Sequence, residues 1–148
     1  MLVTLAFYKG RGGSLFDRVQ DRAIRIRTGG PYSHVELVAG QVPRRAVATC
    51  YSASGRDGGV RCKVMKLPVT HWDFLRIEAR GDPVGFIRDQ LGAPYDLRGI
   101  LFSQAITAGG HDRGRWFCSE LVAASIGYAA PHTFSPNALY NSARAFAQ

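Results

Sequence analysis

The chain has 148 residues, of which 46% are hydrophobic and 20% are charged. This balance excludes a disordered or fibrous protein, and at this length it predicts a single globular domain over residues 1–148. The net charge of +8 would attract phosphate, anionic lipid or acidic polymers, but it specifies no chemistry.

No apolar run approaches the roughly 18 residues that a transmembrane helix needs. The opening LVTLAFY is typical of a strand and lacks the preceding basic residues of a signal peptide. We therefore expect cytoplasmic localisation by default, with phage-encoded or specialised-secretion export left open.

Three cysteines are an odd number, which argues against a disulfide framework and for a reducing compartment. Cys50 and Cys62 flank the turn SGRDGG, and a two-residue loop at Arg56 and Asp57 is expected to place them opposite each other. Whether these two cysteines pair stays open. Cys118 has no such neighbour in the sequence.

The first half of the chain predicts one helix among five strands. LVTLAFY is the first strand, and Ser14 caps a helix over 15–27 with one apolar face. That face consists of Leu15, Val19, Ala23 and Ile26, and a second face carries Arg18, Arg22 and Arg25. SHVELVA, AVATCYSA, VRCKVMKL and FLRIEA follow as strands. Together the strands predict an antiparallel meander.

Helices dominate the second half of the chain. Asp82 and Pro83 begin one helix that Gly92 ends, and LRGILFSQAIT predicts another. CSELVAASIGYA follows a loop, and SPNALYNSARAFA begins with Ser135 as N-cap. The order of elements predicts an α+β fold in which an antiparallel sheet of about five strands packs against helices.

Cys118 is placed at the start of the third of these helices. Its spacing with Leu121, Val122 and Ser125 puts all four residues on one face, which is typical of a buried core position. The first turn of a helix also favours a thiolate, because its backbone N–H groups and the helix dipole stabilise negative charge. The pattern alone therefore allows a structural or a nucleophilic cysteine.

A nucleophilic thiol needs a base, and His34 is the best candidate among the four histidines. It lies on a predicted strand directly after a Gly-Gly-Pro break. Strand periodicity puts Glu36 on the same face, where its carboxylate could orient the imidazole and stabilise its cation. If that face were exposed, both residues would be ordinary solvated side chains.

Several segments resemble the circularly permuted NlpC-type cysteine hydrolases, the YiiX/YaeF-like branch of the papain-like superfamily. The segments are YSHVELV, YSASGRDGGVR, LGAPYDLRGIL, FCSELVA and SPNALY, which together cover nearly the whole chain. The lecithin:retinol-acyltransferase-like enzymes are a related permuted branch. In these families the histidine strand precedes the cysteine helix, as it does here.

The resemblance implies a permuted papain-like fold in which Cys118 is the nucleophile and His34 the base. It places the third, polar residue beside the histidine, often on the next strand, where this chain offers Ser52, Tyr51 or Thr49 but no acid. Glu36 is our choice for that role because of its charge, and Ser52 is the alternative. No metal or organic cofactor is expected.

The predicted activity is hydrolysis or acyl transfer on an amide or ester through an acyl-enzyme. The resemblance allows cell-wall peptides and other cell-wall amides, lipid esters and protein amides as substrates, and the net positive charge is compatible with an anionic one. Contact at a cell wall or membrane is left open. Nucleic acid is not an obligate partner, and the oligomeric state is unknown. The alternative is a non-catalytic basic module that binds nucleic acid or another anionic polymer through its arginines, among them Arg44, Arg45, Arg113 and Arg115.

Overall fold

The computed structural model describes residues 1–10, 22, 24–26, 29–42, 46–96 and 114–148. Five strands form one sheet: β1 (Leu2–Tyr8), β2 (His34–Ala39), β3 (Val47–Ser54), β4 (Gly59–Lys66) and β5 (Trp72–Glu78). The helices among these residues include α1 (Pro83–Asp89), α2 (Cys118–Ser125) and α3 (Pro136–Arg144). The α+β prediction is confirmed, including the five antiparallel strands.

The sheet order is β4-β3-β2-β1-β5, with every neighbouring pair antiparallel. The first four strands follow the predicted meander. The fifth strand does not, because it pairs with β1 at the opposite edge instead of with β4. The link over 67–71 therefore crosses one face of the sheet, and Leu67 on it is fully buried.

Side chains of alternate strand residues form two separate apolar layers. One layer, which includes Leu5, Val35 and Leu37, packs against α2 and α3 through residues such as Leu121 and Leu139. The second layer lies on the other face and consists of Ala6, Val38, Ala48, Cys50, Leu67 and Trp72. On this second face the Glu36 side chain is fully buried, whereas His34 remains partly exposed.

The helices begin where the sequence places their caps. The Asp82 carboxylate accepts a hydrogen bond from the Gly85 N–H at 2.9 Å, and the Ser135 hydroxyl accepts one from the Ala138 N–H at 3.1 Å. Proline follows each cap and has no N–H to satisfy. Among the described helices, none is both long and apolar enough to span a membrane.

Two predicted helices fall largely or entirely outside the described residues. The segment over 97–107 and most of the helix over 15–27 lie there, together with Leu15, Arg18 and Val19. Ile24–Ile26 is helical, but its apolar face differs from the prediction. Ile24 is buried with 5% exposure, whereas Ile26 is 72% exposed. The face that packs on the sheet is therefore rotated relative to the predicted one.

Candidate active site

His34 and Glu36 lie on the same face of β2, as the strand period predicts. The His34 Nε2 atom is 2.7 Å from Glu36 Oε1. Glu36 is fully buried, and His34 keeps 20% of its side chain exposed. The pair therefore consists of a carboxylate that is shielded from water and an imidazole at the margin of the sheet. This difference arises because His34 is the first residue of β2, whereas Glu36 lies two residues further into the strand.

Arg61 completes the surroundings of Glu36. Its guanidinium donates two hydrogen bonds to the carboxylate, from one terminal nitrogen to Oε2 at 2.6 Å and from the other to Oε1 at 2.5 Å. The Arg61 Nε–H donates to Asp57 at 2.9 Å. A bidentate arginine with two charge-assisted bonds is the geometry that makes a buried carboxylate tolerable.

The sheet register explains how Arg61 reaches across two strands. Ser52 on β3 is directly opposite Arg61 on β4, and continuing the β2–β3 register places Ser52 beside Glu36. The small serine leaves room for the long arginine side chain to pass over it. The Ser52 hydroxyl itself donates to the Val35 carbonyl at 2.7 Å.

Cys118 is the first residue of α2 and is fully buried. As predicted from the helical spacing, Leu121, Val122 and Ser125 are buried on the same helix. The thiol also lies beside His34, close enough for a side-chain hydrogen bond and a Coulombic interaction between the two groups. The structure thus brings together Cys118, His34 and Glu36, although 84 positions separate the cysteine from the histidine in the chain.

The neighbours of His34 decide its charge. Burial by itself would lower the pKa of the imidazole, but Coulombic interactions and hydrogen bonds with Cys118 and Glu36 outweigh it and raise the pKa to about 10. Burial would likewise raise the pKa of Glu36, yet the hydrogen bonds from Arg61 and the interactions with His34 hold that pKa below its usual range. His34 is therefore protonated and Glu36 ionised at neutral pH.

Asn137, near the start of α3, fixes the chain just before His34. Its Oδ1 accepts from the Tyr32 N–H and its Nδ2–H donates to the Tyr32 carbonyl, both at 2.9 Å. Gly30 packs so closely on Asn137 that a Cβ there would collide with the amide. Ser33 then bonds through its N–H to the Tyr8 carbonyl at 3.1 Å. These contacts determine where β2 begins.

The first turn of α2 offers donors beside the thiol. The first N–H groups of any helix have no partner within the helix, and Cys118 supplies the first of them here. Such groups can stabilise an oxyanion that develops next to the sulfur. Ser119 is held by its own hydroxyl, which donates to the Phe134 carbonyl at 2.7 Å.

The other cysteines lie away from this cluster. The prediction that Cys50 and Cys62 are opposite each other is wrong: Cys50 is opposite Lys63, and Cys62 is opposite Tyr51. A loop centred between residues 56 and 57 brings residue 50 opposite residue 63, so the two cysteines occupy opposite faces of the sheet. Both are free thiols; Cys50 is buried, and Cys62 is exposed. Burial raises the pKa of the Cys50 thiol to about 12.

The predicted arginine face receives no support from the described residues. Arg22 is exposed, but Arg25 turns back to donate to the Lys9 carbonyl at 3.2 Å. Arg115 is exposed in the loop before α2. The remaining arginines of that hypothesis, Arg18, Arg44, Arg45 and Arg113, lie outside the described residues.

Arg61 is the site residue that the sequence analysis missed. Its signal was present in the turn SGRDGG, because the hairpin centre fixes Ser52 opposite Arg61 and strand alternation gives both residues the face of Glu36. Ser52, the alternative for the third role, bonds to backbone carbonyls at 2.7 and 3.4 Å. Glu36 is the residue that holds His34.

Comparisons with protein-family models, with curated proteins and with solved structures found no match to this chain.

Proposed function

We propose that this protein is a thiol-dependent hydrolase or acyltransferase that acts on an amide or ester through an acyl-enzyme. One observation carries the proposal: His34 interacts both with the Cys118 thiol and with the buried Glu36 carboxylate, which occupies its Nε2 atom. A nucleophile, a base and a group that orients the base are the three roles of a catalytic triad. The chain order, with the histidine strand before the cysteine helix, supports a circularly permuted papain-like fold.

The acylation step depends on the protonation of His34 and Cys118. Because Nε2 is bound to Glu36, Nδ1 is the His34 nitrogen that holds the proton given up by the Cys118 thiol, so the attacking group is a thiolate paired with the imidazolium. The Cys118 sulfur attacks the carbonyl carbon, a C–S bond forms, and the negative charge moves to the carbonyl oxygen beside the first turn of α2. Breakdown of this intermediate expels the amine or alcohol, which receives its proton from His34.

The same contacts let His34 release that proton at the correct step. A thiolate at Cys118 raises the His34 pKa, and this contribution disappears when the sulfur forms the C–S bond of the tetrahedral intermediate, before the leaving group departs. The pKa of His34 therefore falls on acylation, which favours proton transfer to the leaving group. Neutral His34 can then activate water for hydrolysis, or the hydroxyl or amine of an acceptor for acyl transfer.

Glu36 and Arg61 limit how far this pKa can move. Glu36 stabilises the imidazolium, while the Arg61 guanidinium binds both carboxylate oxygens and offsets the negative charge that His34 experiences. Both residues are therefore positioning residues, since they act on the reaction through His34. Cys118 has no exposed surface, so a substrate reaches the sulfur only in a conformation that uncovers it.

The test is an intact-mass measurement after incubation with pooled amides and esters. A Cys62→Ser background removes the exposed thiol, and Cys50 is silent because its thiol is buried and un-ionised at neutral pH. We expect a covalent acyl adduct that is absent when Cys118→Ala is added. The mass of the adduct identifies the acyl group.

Two results would contradict this function. The first is an adduct that persists in the Cys118→Ala protein. The second is the absence of any adduct together with salt-dependent binding of DNA or RNA, which would support the alternative of a basic binding module.

A further inference from the structure

A cleft of about 340 Å3 lies on the strand face that carries His34 and Glu36. This volume is within the range of small-molecule sites. All five strands contribute to its walls, through Tyr8, His34, Glu36, Ser54, Arg61, Lys63, Met65 and Trp72. The cleft therefore crosses the full width of the sheet, with the imidazole of the proposed base near the middle.

One end of the cleft is aromatic. Tyr8 on β1 is directly opposite Trp72 on β5, and their ring centroids are 5.0 Å apart. The His34 ring lies 6.5 Å from Trp72 and faces it edge-on. Trp72 is buried, with 6% of its surface exposed, so the partly exposed Tyr8 ring provides the accessible aromatic surface and Trp72 packs against it. An accessible aromatic ring favours aromatic or other flat apolar groups, which stack on it or meet its edge.

The other end of the cleft is cationic. The β3–β4 hairpin contributes Arg56, Arg61 and Lys63 to the wall, against the single carboxylate of Asp57. With His34 protonated and Glu36 ionised, the described lining has four cations and two carboxylates. Arg61 is held by Glu36 and Asp57. Lys63 also contacts Asp57, at 3.2 Å, but its side chain is 54% exposed and can exchange this contact for one to a ligand.

We infer that this cleft binds a substrate with two recognition groups on either side of His34. An aromatic or flat apolar group rests on Tyr8, against which Trp72 packs, and a carboxylate or phosphate binds at Arg56 and Lys63. The inference rests on the proposed function, because only an enzyme would make this ligand a substrate. It specifies the chemical class of substrate that the cleft selects. The bond to be cleaved lies between the two groups, where His34 can protonate the leaving group. Cys118 is not part of the described lining, so its sulfur reaches this bond only in the conformation that uncovers it.

The probes are three compounds of matched length: 4-phenylbutyrate, 3-phenylpropyl phosphate and the neutral 4-phenylbutanamide. Isothermal titration calorimetry measures their binding to the wild type and to the Cys118→Ala protein. We expect the two anions to bind roughly tenfold more tightly than the amide, since one charge-assisted contact distinguishes them. Binding by only one anion would support the inference and assign the charged group as carboxylate or phosphate.

Lys63→Met and Lys66→Met form a matched pair on β4. Lys63 lines the cleft, whereas Lys66 is exposed on the same strand and is not part of its wall. We expect Lys63→Met to reduce the preference for anions to about threefold or less and Lys66→Met to leave it unchanged. An equal effect of the two substitutions would overturn the inference, because it would trace the preference to net charge.

Equal affinity for the anions and the amide, or no binding of any probe, would also overturn it. Measurements on the Cys118→Ala protein distinguish failure of this inference from failure of the proposed function. Anion-selective binding that Cys118→Ala retains, without any acyl adduct in the wild type, would support the cleft and contradict the enzyme. An adduct on Cys118 from neutral substrates, with no preference for anions, would contradict only the cleft.

Discussion

The free energy of the Glu36 carboxylate depends on how completely its oxygens are bound. Removing an ionised carboxylate from water costs several kcal/mol, and only well-directed partners offset it. Glu36 has no exposed surface, yet both of its oxygens accept bonds from Arg61 and one also contacts His34. The cluster is therefore most sensitive to changes that remove one of these partners.

Arg61→Met is predicted to destabilise the fold by about 3–5 kcal/mol, because it leaves a buried carboxylate without its guanidinium. Lys63→Met is the matched control on the same strand. Lys63 contacts Asp57 at 3.2 Å and is 54% exposed, so its loss should cost less than about 1 kcal/mol. Urea denaturation measures both changes. Equal losses of stability in the two variants would show that the buried Arg61–Glu36 pair contributes no more to stability than the exposed Lys63–Asp57 pair.

His34 should make stability depend on pH in the alkaline range. Its pKa is 6.5 in the unfolded chain and about 10 in the folded protein, so folding favours the protonated form. This contribution is complete below about pH 6.5 and is lost as the pH rises toward 10. The difference in unfolding free energy between wild type and His34→Gln should therefore shrink from pH 6 to pH 9. A constant or growing difference would contradict the raised pKa.

At the scale of elements, the helix N-cap residues and the spacing of residues along a strand predict local structure. Asp82 with Pro83 and Ser135 with Pro136 predict the starts of two helices, and the i, i+2 spacing predicts the contact between His34 and Glu36. These are short-range features, which local geometry decides. The phase of the helix around Ile24–Ile26 was not predictable in this way, because either face offers apolar residues and tertiary packing selects one.

The link between α3 and β2 is a contact between elements that the sequence does not reveal. Asn137→Ala removes both hydrogen bonds to Tyr32, two residues before His34, and should cost about 1–3 kcal/mol because the bonded groups are buried. It should also slow acylation of Cys118, since the start of β2 is then free to shift. Asn141→Ala, at an exposed position of the same helix, is the control. Similar stability and acylation rates for the two variants would contradict the positioning role.

At the scale of the whole molecule, the sequence predicts the fold class but not the complete topology. The five strands and the helices that cover them follow from composition and period. The position of β5 beside β1 does not, because it depends on contacts between distant segments, among them the burial of Leu67 and Trp72 and the ion pair of Lys9 with Asp73. The contact of Arg61 with Glu36 was not predicted for a related reason. It depends on the register of three adjacent strands, whereas each sequence motif lies within a single strand.

The approach of Cys118 to His34 also belongs to this scale, since it joins the first strands of the sheet to a helix near the end of the chain. The resemblance to permuted papain-like hydrolases predicts this approach, and the alternation of β2 alone could not. Which residues meet across the sheet margin depends on how α2 packs on β2 and β3.

The most direct test of the account is the rate at which iodoacetamide alkylates Cys118 at pH 6 in the Cys62→Ser background, followed by peptide mapping. An ordinary thiol with a pKa of about 8.5 is almost entirely un-ionised at this pH. We predict that Cys118 reacts at least about tenfold faster in the Cys62→Ser protein than in the same protein with His34→Gln added. Burial of Cys118 slows access of iodoacetamide equally in both proteins, so the ratio of rates reports the effect of His34. Equal, slow rates in the two proteins would contradict the claim that His34 activates Cys118.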